Sequence, residues 1–414
     1  MQLPRMAKMR QRFATTALED VGQSVRQTLA DAHLASAIKP GQRIAVSSGS
    51  RGIANIPLIT RTVVDCVKKA GGEPFLLPAM GSHGGANPEG QKEVLASYGI
   101  SPESMGCPVE ATMDVVEVGR LADDTPVLLN RLAWESDGVV LINRIKPHTS
   151  FRGPFESGLM KMMTIGLGSH RGATIAHAQG AEGLARLIPA WGAEILDKAP
   201  VCMGLAIVEN AYEETLRVEA LRPEQFPSRE PHLLEEARAA MPRIMVQGID
   251  LLIVEEMGKN ISGTGMDTNV VGRMLLPGVK EPDAPGVARI VALSLTEESH
   301  GNANGVGLAD IITRRLYESI DVKATYANVF TTTFLNRANI PVTMESDRAA
   351  IEAALDVQRL EHTEHARVVR IKNTLDIGQI EVSEALMHEF VNHPDIDQAG
   401  ELSAMRFDET GQLL

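Results

Sequence analysis

Short apolar runs that each empty into a small-residue loop alternate with helical patterns, and this grammar limits the fold more tightly than any other feature of the chain. "RIAVSSGS" (43–50) reads as a buried strand, and "NIPLITRTVVDCVKKAGG" after it reads as a helix closed by glycines. "EPFLLPAMGSHGG" is a second strand running into a glycine-rich loop, "PEGQKEVLASYGI" a helix, and "DGVVLINRIKPH" a further strand ending at a histidine. Strand and helix in strict succession imply an α/β architecture with largely parallel strands.

The pattern continues with a helix in "LARLIPAWGAEILDK", then strands in "VCMGLAIVEN" and "IDLLIVEEM". It restarts after about Leu275 with "GVARIVALSLTEESHGNANGVGLADIITRRLYESI". A chain of 414 residues is long for one core, so two α/β domains are expected, with a cofactor and substrate cleft between them. The expected division is 1–262 for an N-terminal catalytic domain and 263–389 for a domain that closes over the substrate, with the tail 390–414 returning to the first. The opening "MQLPRMAKMRQRFATTALED" has no acid before Glu19 but lacks an apolar leader core, and it reads as an amphipathic helix running into "VGQSVRQTLADAHL".

A net charge of −13 disfavours a nucleic-acid binder, which needs cations to displace counterions. Cys66, Cys107 and Cys202 are widely spaced with no CxxC pair, which argues against disulfides and thiolate zinc sites and for a reducing, cytoplasmic setting. No run is long enough to span a membrane. Homo-oligomerisation is left open.

Arg51, His83 and His148 each follow a strand end, where open α/β sheets bind their ligands. Histidine suits proton transfer in both directions near neutral pH. Lys161 sits among apolar residues in "SGLMKMMTIGLG", where a lysine must snorkel, pair or lose its charge. A lysine of lowered pKa is a nucleophile; a snorkelling helix lysine is the plainer alternative. Gly166 and Gly168 of "GLG" suit a phosphate-cradling loop. His177, sixteen residues after Lys161 on a helical pattern, suits a borderline metal such as nickel, zinc or copper, or is simply a helix-face histidine.

Together, "SSGSRGIANIP" with Arg51, "MGSHGG" with His83, "PHTSFRG" with His148, "SGLMK" with Lys161 and the downstream His177 resemble the nickel-pincer lactate racemase family of LarA-like racemases and epimerases. The resemblance spans roughly Arg43 to His177 and continues more loosely to Arg273. It departs from the family at Ser48, where an acid is common, and at "SGLMK", which replaces a double glycine.

The resemblance implies an isomerase that inverts the C2 hydroxyl centre of a 2-hydroxy acid. It implies a nickel-pincer nucleotide, a pyridinium mononucleotide with two sulfur arms, tethered to Lys161 and contacted by Ser48, Gly166 and Gly168, with His177 as the protein's nickel ligand. His83 and His148 are then the paired acid/base groups, and Arg51 steadies developing oxygen charge. Cofactor-biosynthesis enzymes are implied partners. Substrate binding falls to Lys259, Asn260, Asp267, Asn269, Arg273 and His300, and so many polar side chains lean towards a sugar acid. Asn, Asp and Gly also favour turns without any ligand. The alternatives on the same scaffold are a zinc hydrolase using the histidines and a non-catalytic nucleotide or anion binder.

Overall fold

The structure, a computed structural model, describes residues 1–50, 52–277 and 279–414. The chain divides into two compact units, one comprising 14–241 and the other 1–13 with 242–414.

The N-terminal segment is a strand, β1 (Arg5–Gln11), and the helix expected there begins only at Val21, where the Asp20 side chain accepts the Gln23 amide. Met6, Ala7, Met9 and Gln11 are buried while Arg5, Lys8 and Arg10 are exposed, which is near-alternation, the period of a strand and not of a helix. What fixes β1 is pairing with residues 379–383, antiparallel, from the far end of the chain.

Unit 14–241 is built on a five-stranded sheet of β2 (Arg43–Ser48), β3 (Glu73–Pro78), β6 (Gly138–Arg144), β7 (Val201–Glu209) and β8 (Thr215–Leu221). A separate hairpin of β4 (Val115–Arg120) and β5 (Pro126–Asn130) lies between them in sequence. The sheet order is β3-β2-β6-β7-β8, all parallel except the last pair. Successive residues point to opposite faces, and both faces are apolar. Ile44, Val46, Val140 and Ile142 enter one core with Val63 and Val64 of the helix Ile56–Lys69. Ala45, Val139 and Leu141 enter the other with Trp191 and Phe226. A sheet covered on both sides must open its ligand surface at its ends, so the loops carry the chemistry.

The second unit holds β9 (Ile249–Met257), β10 (Val287–Leu295), β11 (Ile311–Thr313), β12 (Val342–Met344), β13 (Val368–Ile371), β14 (Gln379–Ser383), β15 (Ile396–Gln398) and β16 (Ser403–Ala404). Its sheet runs β12-β11-β10-β9-β13-β14-β1-β15, with β16 also on β1; the β12-to-β13 stretch is parallel and the remainder antiparallel.

Both expected bounds therefore differ. The units part at 241/242 and not at 262/263, because β9 pairs with β10 and β13 and with no strand of the first sheet. The 390–414 tail stays in the second unit, with β15 and β16 on β1 and the Leu413 amide donating to the Asp347 carboxylate. Among the described residues no helix is long and apolar enough to cross a membrane.

Candidate active site

Three loops leave the carboxyl edge of the first sheet and converge on the segment 158–168. After β2, the Ser48 carbonyl accepts the Ala79 amide, and Gly49 lies against Met162. After β3, the Gly81 amide donates to the Gly166 carbonyl at 3.2 Å. After β6, the Asn143 side chain donates to the Gly158 carbonyl at 2.8 Å. The sequence order of these loops is thus turned into one surface.

His83 stands exposed on the second loop, its Nδ1 hydrogen-bonded to the Ser50 hydroxyl, while the Tyr98 hydroxyl holds the Ser50 carbonyl at 3.1 Å. Arg51, the neighbouring expected site residue, lies outside the described residues. His148 is half-buried on the third loop and stacks on Phe151 at 4.6 Å between ring centres. Its Nδ1 accepts the Ser150 amide at 3.0 Å, so a neutral ring carries its proton on Nε2.

Glu156 organises that loop. Its carboxylate, fully buried, accepts the His148 amide at 2.7 Å and the Gly153 amide at 3.1 Å, and pairs with Arg238 at 2.5 Å and Arg152 at 3.4 Å. Two guanidinium groups and two amides compensate a buried charge that would otherwise be costly. The carbonyl of the same residue accepts the Lys161 Nζ at 3.1 Å, and that ammonium also lies 5.1 Å from the Phe151 ring centre. His148 and Lys161 are thereby tied to one residue.

Lys161 ends a short helical turn, Leu159–Lys161, which continues as one π-helical stretch, Met162–Gly166, a wider winding often found at functional sites. Gly166 and Gly168 have helical neighbours and not an open loop. A Cβ on Gly166 would meet the Ala79 carbonyl at 2.7 Å, and one on Gly168 the Thr164 carbonyl at 2.3 Å, so both allow close packing of this turn on the β3 loop and on itself. His177 closes the helix Ser169–His177, as its pattern suggests. Burial first, and then the nearby Lys161 ammonium, push its imidazole down to about 4, which keeps it neutral and able to ligate a metal.

Glu230, on the helix Phe226–Ala240, is a residue that the sequence reading passed over. Its Oε2 accepts the Leu159 and Met160 amides at 3.0 and 3.1 Å. Burial pushes its carboxyl up to about 8, with those two amides holding it lower than burial alone would. The folded chain therefore keeps a proton that the unfolded chain releases above about pH 4.3, so this contribution to stability is complete in acid and is lost as pH rises towards 8. Glu230→Gln cannot titrate. In urea titrations the variant's stability should rise relative to the natural chain by about 1.4 kcal/mol per pH unit, reaching roughly 5 kcal/mol at most. A gap that stays constant from pH 5 to 8.5 would show that Glu230 does not hold its proton.

The expected substrate residues lie in the second unit, and they divide. Lys259 and Asn260 follow β9 in a polar cluster: Lys259 Nζ donates to the Gly263 carbonyl and to Asn328, both at 2.6 Å, and Asn260 accepts the Thr296 hydroxyl at 2.7 Å. Asp267 is buried and caps the turn Thr268–Val271 through the Asn269 amide and side chain. Arg273 is committed to Asp310 at 2.6 Å and to the Leu308 carbonyl. For these three the turn and packing role is the one the contacts describe. His300 is exposed, in left-handed backbone after the turn Glu297–Ser299. Among the described residues, no group of three or more His, Cys, Asp or Glu side chains is placed to hold a metal ion.

An α/β protein of two units, with histidines and a half-buried lysine gathered at the carboxyl edge of one parallel sheet, is the class that fold and site define. Residues 5–183 match the family model of the lactate racemase N-terminal domain. Among solved structures, the lactate racemase apoprotein from Thermoanaerobacterium thermosaccharolyticum is similar at TM-score 0.56 and 13% identity, covering 89% of this chain and 99% of that one. A protein from Thermotoga maritima is similar at TM-score 0.50 and 16% identity, over 66% and 70% of the two chains. No curated protein sequence matches.

Proposed function

We propose that the chain is a racemase or epimerase inverting the C2 hydroxyl centre of a 2-hydroxy carboxylic acid, with a nickel-pincer nucleotide attached to Lys161. The observation that carries this reading is the joint anchoring of His148 and Lys161 on Glu156, with His177 beside Lys161. The residues present fit such a group. Lys161 offers an amine in apolar surroundings, and His177 a neutral imidazole. Among the described residues, the buried Ser48 hydroxyl has no hydrogen-bond partner.

Bound there, the group supplies a reversible acceptor for the substrate's α-hydrogen. The chain's own part is proton traffic and placement. His83 and His148 take the hydroxyl proton of one stereoisomer and return it to the other. Arg51 steadies the oxygen charge that develops as this proton leaves. The polar cluster of Lys259, Asn260 and Thr296 supports a substrate with additional hydroxyl groups, a sugar acid over lactate.

The test is co-expression with the cofactor-making enzymes, followed by intact mass, metal content and a chiral assay over a panel of 2-hydroxy acids. The expected result is an adduct on Lys161, about one nickel per chain, and inversion that retains an α-deuterium label. Zinc with unmodified Lys161 and ester or amide hydrolysis would replace this reading with a hydrolase. Neither metal, adduct nor turnover would leave a binding protein.

A further inference from the structure

The helix Phe226–Ala240 reaches the catalytic loop at two points that nothing in the reaction itself requires. Arg238 meets the Glu156 carboxylate, and Glu230 meets the Leu159 and Met160 amides. Eight residues of helix separate the two contacts by about 12 Å. Phe226 before them and Leu233, Leu234 and Ala237 between them sink into the core under the sheet, so the helix is a fixed reference and not a mobile flap.

Both contacts grip groups that cannot be gripped by chance. Glu156 and Glu230 are fully buried. Gly158, just before the turn that carries Lys161, has φ +123°, and a Cβ there would sit 2.5 Å from Glu230 Oε1. Only glycine takes that backbone without strain and leaves room for the carboxyl. The first two amides of the turn, which have no partner within it, are met by the one oxygen, Oε2. On the other side, the residue that Arg238 holds is the one whose carboxylate accepts the His148 amide and whose carbonyl accepts the Lys161 ammonium.

We propose that the helix Phe226–Ala240 is the brace that sets Lys161 relative to His148, with Glu230 acting through the Leu159–Lys161 turn and Arg238 acting through Glu156 as positioning residues. The brace rests on the reading of Lys161 as the attachment point, yet it can be tested without any cofactor. Lys161 should be held against the Glu156 carbonyl by the turn, and should react slowly with an acylating reagent for as long as the turn is held.

The experiment is trace acetylation of the folded, full-length chain with acetic anhydride, with Lys161 read by peptide mass spectrometry against Lys280, whose side chain is 81% exposed. Glu230→Leu and Gly158→Ala should each raise the Lys161-to-Lys280 ratio about fivefold or more, as the turn opens locally. Arg238→Met combined with Glu156→Gln, which removes both charges together, should raise it similarly. Glu230→Gln keeps an acceptor oxygen for the two amides and should hold the ratio within about twofold. Leu233→Ala loosens the same helix without touching a polar contact, and at matched folded fraction it should also stay within about twofold.

A ratio that fails to rise in Glu230→Leu and Gly158→Ala, or that rises equally in Leu233→Ala, overturns the brace. If Glu230→Leu does not fold, Gly158→Ala reads the same contact from its other side. A natural chain that never acquires an adduct on co-expression would sink the attachment reading alone and leave this result standing.

Discussion

Lys161→Met, co-expressed with the cofactor-making enzymes, is expected to be purified at its bare polypeptide mass and to turn over no 2-hydroxy acid above the uncatalysed background. Methionine matches the lysine stem in length and belongs in a segment that already packs Met160, Met162 and Met163 into the core. What it loses is the amine, which donates to the Glu156 backbone carbonyl at 3.1 Å. Stability should therefore shift by no more than about 1 kcal/mol in urea, which separates lost chemistry from lost folding. Lys161→Arg sharpens the test. It keeps a cation over Phe151, yet guanidinium is never a free base and so cannot be the nucleophile. An adduct on the arginine chain would place the attachment elsewhere.

The same residues show where sequence reading reaches and where it stops. The strands at 43–48, 73–78, 138–144, 201–209, 249–257 and 287–295 are legible because a sheet buried on both faces writes itself as an unbroken apolar run. The loops carrying His83 and His148 are legible for the same reason, since a strand's end can be read wherever its run breaks. β1 is not legible. "RMAKMRQ" is too short to separate a period of two from one of 3.6, and its partners lie beyond residue 378. The unit boundary was hidden likewise, because β9 looks forward along the chain for both neighbours.

Within the site, the histidines and the lysine were visible as chemistry, whereas Glu156, Glu230 and Arg238 were not visible as supports. Their contacts close over 70 and 71 residues for Glu230 and over 82 for Arg238. No local spacing encodes them. One signal did exist: Glu230 falls on the apolar face of its helix, among Phe226, Leu233, Leu234 and Ala237, where an acid needs a reason to be. Arg273 shows the converse: attractive as a cation near a glycine-rich loop, its guanidinium closes an ion pair with Asp310.

His83→Ala and His148→Ala, each measured on chain carrying the adduct, are expected to lower kcat/KM by about 10²- to 10⁴-fold, the usual cost of removing a general acid or base. The loss should be the same factor from either stereoisomer. A variant cannot change the equilibrium between two free stereoisomers, so a residue that serves one direction as base serves the other as acid. His148→Asn separates proton transfer from loop structure. An asparagine oxygen can accept the Ser150 amide in place of Nδ1, and the His148 amide still reaches Glu156, so the loop should keep its path while losing its titratable group. Chiral chromatography of initial rates checks this, with adduct mass confirmed on each preparation. A fall of less than about tenfold in His148→Asn at full adduct occupancy would mean that the ring shapes its loop and moves no proton. The proton work would then pass to His83, whose Nδ1 is hydrogen-bonded to the Ser50 hydroxyl.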